Sequence, residues 1–277
     1  MFRNRPCCNA FMILVLLLAA CGKKEEVPES AETSSAQDAT PTIEAPAIIP
    51  GEMVLIPAGE FILGDNTQGA QANPQQTINL PAFWIDKFEV TNREFLDFSI
   101  KTGYQAEGAS EGKDWRTFFT ADKADYPVVY ITWKDADSYC KSSGKRLPSE
   151  LEWEKAARGT DGRIYGWGNE WQPRQANTYE TERTPAAIGK YSGDVSPYGV
   201  HDMVGNVMEW TSSWYLPYKG NSQENPNFGQ RFRVVRGASS RSYGDRYRLW
   251  MRSAYIPNSL YDFGFRCAKD SEAPAGK

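Results

Sequence analysis

The 277-residue chain is short of the side chains on which most metal and hydrolytic chemistry depends, with one histidine, His201, and five cysteines. A single imidazole excludes a histidine metal cluster and leaves a serine hydrolase one candidate base. His201 sits in a turn beside Asp202 and is expected to be a solvated loop residue. No apolar run is long enough to span a bilayer: Phe11–Ala20 is about half of the ~20 residues that such a helix needs. Basic residues are not in excess either, at 31 Lys and Arg against 35 Asp and Glu. With no basic stripe to displace counterions from phosphates, nucleic acid is disfavoured as a partner. No internal repeat is evident.

What stands at the N terminus is an export leader. Arg3 and Arg5 precede the apolar run, and Leu18-Ala19-Ala20-Cys21 has the lipobox pattern of small residues before a cysteine. The pattern predicts a signal peptide over residues 1–20, cleavage before Cys21 and lipidation of its thiol. Several acyl chains, at about 0.8 kcal/mol per buried methylene, make a stable membrane anchor. Gly22 rather than an aspartate follows, so inner-membrane retention is not indicated, and the outer membrane is expected in a Gram-negative cell. Cleavage would leave 29 basic against 35 acidic side chains, a net charge of −6.

Residues 21–50 are rich in Glu, Ala, Pro, Ser and Thr and too poor in large apolar residues to fold. They read as a tether with a reach on the order of 30 Å. Residues 51–277 are long enough for one domain with a sizeable core. Cys7 and Cys8 leave with the leader and Cys21 takes the lipid, so only Cys140 and Cys267 remain. In an exported domain they suit a disulfide worth roughly 4–5 kcal/mol in the chain-entropy model, or else a pair of inert buried thiols.

Within the domain, Met53–Pro57, Phe83–Val90 and Tyr126–Trp133 read as strands. Thr91-Asn-Arg-Glu94 and Ser149-Glu-Leu-Glu152 are capping boxes that open helices, the first ending near Gly103. A further helix runs through Ala136 and Tyr139-Cys140 to Gly144. Short strands follow at Val207–Thr211, Arg233–Ser239, Arg246–Tyr255 and Phe263–Lys269. Helices early and strands late imply an α+β fold with much irregular structure. Arg241, Arg246, Arg248 and Arg252 alternate with Tyr243, Tyr247, Trp250 and Tyr255, a composition that suits either a binding surface or the stapling of a sheet.

Three ordered segments carry a resemblance: Cys140-Lys-Ser-Ser-Gly-Lys-Arg-Leu-Pro-Ser-Glu-Leu-Glu-Trp-Glu154, Tyr198-Gly-Val-His-Asp-Met-Val-Gly-Asn-Val-Met-Glu-Trp-Thr211 and Gly264-Phe-Arg-Cys-Ala268. They resemble the formylglycine-generating enzyme (sulfatase-modifying factor) family over about Met53 to Asp270. The resemblance implies a variant of the C-type lectin fold with modest secondary structure, and a Cys140–Cys267 disulfide. The family's oxidase holds copper(I) with two cysteines around an Arg-Ser-Tyr segment, a soft-ligand site. Here Gly244 takes the place of the second cysteine and Ser240 stands nearest the first, so no copper is expected. The resemblance also implies structural calcium on Asp202, the carbonyls of Gly205 and Val207, and Glu209, with a second site starting at Asn177 and the carbonyl of Thr178, completed if at all by Glu180 or Glu182. Carboxylates and carbonyls are suitable hard ligands for that ion. Ser239 and Tyr243 match positions lining the family's peptide groove, although Met208 replaces the usual tryptophan; Arg246 and Trp250 extend the candidate ligand-binding set.

The expectation is an envelope-anchored lipoprotein whose domain binds a protein, peptide or glycan. The alternative is an extracytoplasmic enzyme that modifies or oxidises a protein or peptide with other residues. A third possibility makes Tyr243 to Phe263 a diversified ligand-binding surface.

Overall fold

A computed structural model describes residues 49–67, 71–108 and 114–271. The leader, Cys21 and nearly all of the expected tether lie outside the described residues. In chain order the elements are β1 Met53–Ile56, β2 Gly59–Leu63, β3 Gln76–Leu80, β4 Phe83–Asp86, α1 Asn92–Thr102, α2 Trp133–Ser142, α3 Glu150–Arg158, β5 Met208–Trp214, β6 Arg233–Arg236, β7 Arg252–Tyr255, β8 Phe263–Gly264 and β9 Ala268–Asp270. They form a three-stranded sheet ordered β1-β4-β9, a β2-β3 pair and a four-stranded sheet ordered β7-β6-β5-β8. All pairings are antiparallel except β5 with β8.

Each helix opens on a capping box. Thr91 accepts from Glu94 N–H while its own N–H donates to the Glu94 carboxylate, and Ser149 with Glu152 does the same at α3. The box at α2 uses Thr132 with an aspartate, Asp135, in the position where Glu or Gln is usual. Gly103, at φ 69°, ends α1 in the left-handed conformation that favours glycine.

Three expected strands are corrected. Tyr126–Trp133 does not pair as a strand, because Pro127 has no N–H to donate and Tyr130, at φ 59°, turns the chain out of extended geometry. Its backbone is satisfied by single bonds instead, Val128 N–H to Val90 and Tyr130 N–H to Tyr261. Of Arg246–Tyr255, only Arg252–Tyr255 is strand; Gly244, at φ 62°, opens a 3-10 turn over Gly244–Tyr247. Phe263–Lys269 divides into β8 and the start of β9.

Cys140 on α2 and Cys267 before β9 are joined by a disulfide in the largest apolar cluster, among Phe95, Tyr139, Trp210 and Phe265. A second cluster surrounds Trp153, and a third gathers Phe61, Leu63, Tyr218 and Trp250. Between the clusters runs a buried ionic ladder. Glu154 accepts from Arg158 at 2.5 Å, Arg236 at 2.5 Å and Gly64 N–H at 2.7 Å. One turn earlier, Glu150 takes both arms of Arg252 at 2.7 Å. Lys155 donates to the carbonyls of Pro57 and Gly59. The ladder clamps α3 to β6, β7 and the β2 strand.

Removing one member of such a ladder strands its partners in a dry interior. Glu154→Ala is expected to cost about 3–5 kcal/mol in chemical denaturation, because Arg158 and Arg236 lose their carboxylate; a loss below about 1 kcal/mol would show that the ladder does not hold the fold.

Candidate functional site

The turn from His201 into β5 is the most constrained part of the chain. Asp202 and Asn206 adopt positive φ, 58° and 67°, which these residue types tolerate better than most. Gly205 lies against Asn177, whose carbonyl would sit 2.3 Å from a Cβ, so no larger residue fits there. The Asn206 amide is the hub of the turn: it donates to Glu89 at 2.6 Å and accepts from Ala186 N–H at 2.8 Å and the Asn177 amide at 3.0 Å. Glu209 is gripped by Arg266 at 2.6 and 2.8 Å and by Trp153 Nε1 at 2.9 Å. Asp202 accepts from Gly189 N–H at 2.7 Å, and Asp194 from Val204 and Gly205 N–H at 3.0 Å.

Four buried carboxylates, Glu89, Asp194, Asp202 and Glu209, thus gather around one guanidinium, Arg266. Burial, reinforced by the neighbouring Asp202, pushes the Asp194 carboxyl up to about 8. Burial, reinforced by Glu209, pushes Asp202 up to about 7. Glu89 is raised well above the usual range by burial and by Asp202 and Glu209. His201 is not the solvated residue expected: half-buried against Phe88, it is pushed down to about 4 by burial and then by Lys87 and Arg266. Among the described residues no group of three or more His, Cys, Asp or Glu side chains is arranged to hold a metal ion, and Glu209 already has Arg266 as a partner.

The residues of the second expected calcium set have neighbours of their own. The Thr181 hydroxyl lies 2.8 Å from the Thr178 carbonyl and 3.1 Å from Asn177 Oδ1, with one proton to donate to either. Glu182 pairs with Lys190 and Tyr191, and Glu180 is exposed.

The four expected ligand-binding residues fall into two places. Ser239 is buried, its hydroxyl accepting from Arg241 N–H, and Tyr243 stands 67% exposed against Tyr179. Next to them Arg241 lines a groove of about 250 Å³ with Phe118, Tyr126, Tyr130 and Asp262. Tyr130, in its positive-φ conformation, stacks on Phe118 at 3.8 Å. Asp262 Oδ2 is buried without a hydrogen-bond partner, 3.7 Å from Arg241 Nε. Arg246 and Trp250 line a different cleft, of about 420 Å³. Trp250 lines that cleft but is 4% exposed, packing with Phe61, Leu63 and Tyr218, with Arg248 5.6 Å over its ring. Both cysteines among the described residues are in the disulfide, so this region offers no thiolate.

Comparison with known proteins places this geometry. The profile of the sulfatase-modifying factor enzyme 1-like domain matches residues 40–271. The chain belongs to that family. It is 31% identical to the formylglycine-generating enzyme of Bos taurus over 90% of this chain and 85% of that one. It is also 31% identical to the inactive C-alpha-formylglycine-generating enzyme 2 of Mus musculus, over 80% of this chain and 87% of that one. Equal identity to relatives named active and inactive leaves the question of activity to the residues of the site. Among solved structures, PvdO from Pseudomonas aeruginosa matches 81% of this chain and all of its own with a TM-score of 0.61 at 23% identity. Treponema denticola variable protein 1 matches 79% of this chain and 95% of its own, also at 0.61. These likenesses bear out the α+β fold of the formylglycine-generating-enzyme type, a lectin-like architecture of short strands and long loops.

Glu89, Asp194, Tyr130 and Asp262 were not identifiable from sequence, since each is brought to its site by a segment without a motif of its own. Glu89, Asp194 and Asp202 hold protons in the folded state that the unfolded chain releases, so they lower stability as pH rises. His201 acts oppositely, but only below its ordinary value of 6.5. In chelator, the unfolding free energy is therefore expected to fall between pH 6.5 and 8, by roughly 1 kcal/mol per pH unit for each carboxyl still protonated. Asp202→Asn, which keeps an acceptor for Gly189 N–H, flattens the slope. Stability that rises across this window would contradict the assignment.

Proposed function

We propose that this sulfatase-modifying-factor-like domain is a binding module rather than a copper oxidase, carried on an envelope lipoprotein anchored through Cys21, and that its ligand is a protein segment held at the Arg241 groove. The observation that carries the proposal is the pairing of a missing thiol set with a retained groove. Ser240 and Gly244 replace the copper-binding cysteines, yet beside them lie a strained Tyr130, an exposed Tyr243 and an Asp262 oxygen that has no hydrogen bond and only a 3.7 Å ion pair with Arg241. Backbone strain and unsatisfied polar atoms are both costly and gather where a ligand supplies the missing contacts. Aromatic rings with an arginine and a carboxylate suit an extended segment, whose side chains stack while its amides find charged partners. An extracytoplasmic enzyme acting through other residues is the second reading, favoured by the likeness to the Bos taurus enzyme.

Structural calcium belongs to the same proposal. Asp202 and the carbonyls of Gly205 and Val207 would hold the ion beside Glu209, and its charge would offset the cluster of carboxylates around Asp202. Calcium would then act on the fold by fixing the turn that starts β5.

Two measurements test these statements. Peptides selected from a display library on the lipid-free domain are expected to lose at least tenfold in affinity for Arg241→Ala/Tyr243→Ala; failure to select any, or equal binding to the variant, removes the groove as the ligand site. Calcium is expected to raise the melting temperature of chelated protein in the wild type but not in Asp202→Ala, and an unchanged wild-type melting temperature excludes the ion.

A further inference from the structure

The second cleft, of about 420 Å³, lies beyond β7 and does not include the Arg241 groove. Its size falls in the range of small-ligand sites, about 300–1,000 Å³. Three guanidiniums line it, Arg246, Arg248 and Arg252, and they differ in what already holds them. Arg252 is buried, with Glu150 on two nitrogens and the carbonyls of Gln71 and Leu216 on the rest of the fork. Arg248 pairs at 2.6 Å with Asp245, whose side chain is 76% exposed, a contact that water screens and a ligand can displace. Arg246 is exposed and has no ion pair among the described residues. Among the described residues Asp245 is the acid that lines the cleft and Glu150 is taken up by Arg252, so the charge of Arg246 is not offset there on a molecule that is negative overall.

The two outer arginines are presented rigidly. Between them the chain drives Tyr247 into a ring stack, 4.6 Å from Trp171, and Leu249 N–H bonds to the Ile164 carbonyl. Neutral hydrogen-bonding groups, Thr67, Gln71 and Ser253, share the walls with Trp250. We propose that this cleft binds an acidic saccharide. Its carboxylate or sulfate would take the forks of Arg246 and Arg248, and its hydroxyls the Thr67 and Ser253 hydroxyls. This site is independent of the peptide-binding proposal at Arg241.

The test is calorimetric titration of the lipid-free domain with a panel of acidic disaccharides, carboxylated and sulfated, beside their neutral counterparts and inorganic sulfate. An acidic member is expected to bind in preference to its neutral counterpart and to the bare anion, with affinity falling as salt is raised. Arg246→Glu should reduce that affinity at least tenfold at an unchanged melting temperature, because the side chain is exposed, while Arg241→Ala leaves it intact. Absence of binding across the acidic panel, equal binding of neutral sugars, equal binding of sulfate alone, or undiminished binding by Arg246→Glu would each overturn the proposal.

Discussion

The fold depends on two glutamates one helical turn apart, Glu150 and Glu154, that face inwards from α3. A helix that buries carboxylates folds only if cations arrive with them, and here they come from separate elements: Arg158 from the same helix, Arg236 from β6 and Arg252 from β7. Buried pairs of this kind add little net stability relative to apolar packing, but breaking one is expensive. Their effect is to permit a single docking of the helix, since any slip leaves a charge unpaired. In a domain with short strands and long loops, such ionic register complements what regular packing supplies.

The same constraint sorts the arginines by role. The sequence presents Arg241, Arg246, Arg248 and Arg252 as one alternating set, but Glu150 withdraws Arg252 into the interior, and the 3-10 turn at Gly244–Tyr247 directs the others to different faces. Arg241 reaches the groove beside the segment that replaces the copper-binding cysteines, whereas Arg246 and Arg248 reach the cleft beyond β7. The stapling role suggested by the composition applies to Arg252, and the binding role is what we propose for the others. Around Asp202 the balance is reversed, with carboxylates outnumbering the one cation, Arg266.

What was legible in the sequence was what local chemistry determines. The capping boxes at Thr91 and Ser149 place α1 and α3 to the residue, because reciprocal side-chain and backbone bonds are made within four residues. The Cys140–Cys267 bond followed from the resemblance and from the count of remaining thiols. Tyr126–Trp133 was misread because its apolar residues answer to burial on several sides, while the positive φ of Tyr130 is imposed from outside the segment. The β2-β3 pair left little trace, since it is short and its alternation is broken by Gly59 and by polar positions on β3. Trp250 shows the limit of composition as a guide: the residue type favoured at interfaces is also the one that best fills a small core.

The segment that resembles the family's copper site, Arg236 to Arg248, has no cysteine, and Cys140 and Cys267 are joined in a disulfide that holds α2 to the chain before β9. Loss of the thiolates with retention of the surrounding frame is the central claim, and it is tested most directly by supplying what the lost chemistry would need. Purified domain is incubated with copper(I), oxygen and a cysteine-containing substrate peptide of a formylglycine-generating enzyme, and the peptide is weighed by mass spectrometry. The account predicts that the cysteine is recovered without an aldehyde; formation of formylglycine at a rate dependent on the domain would contradict it.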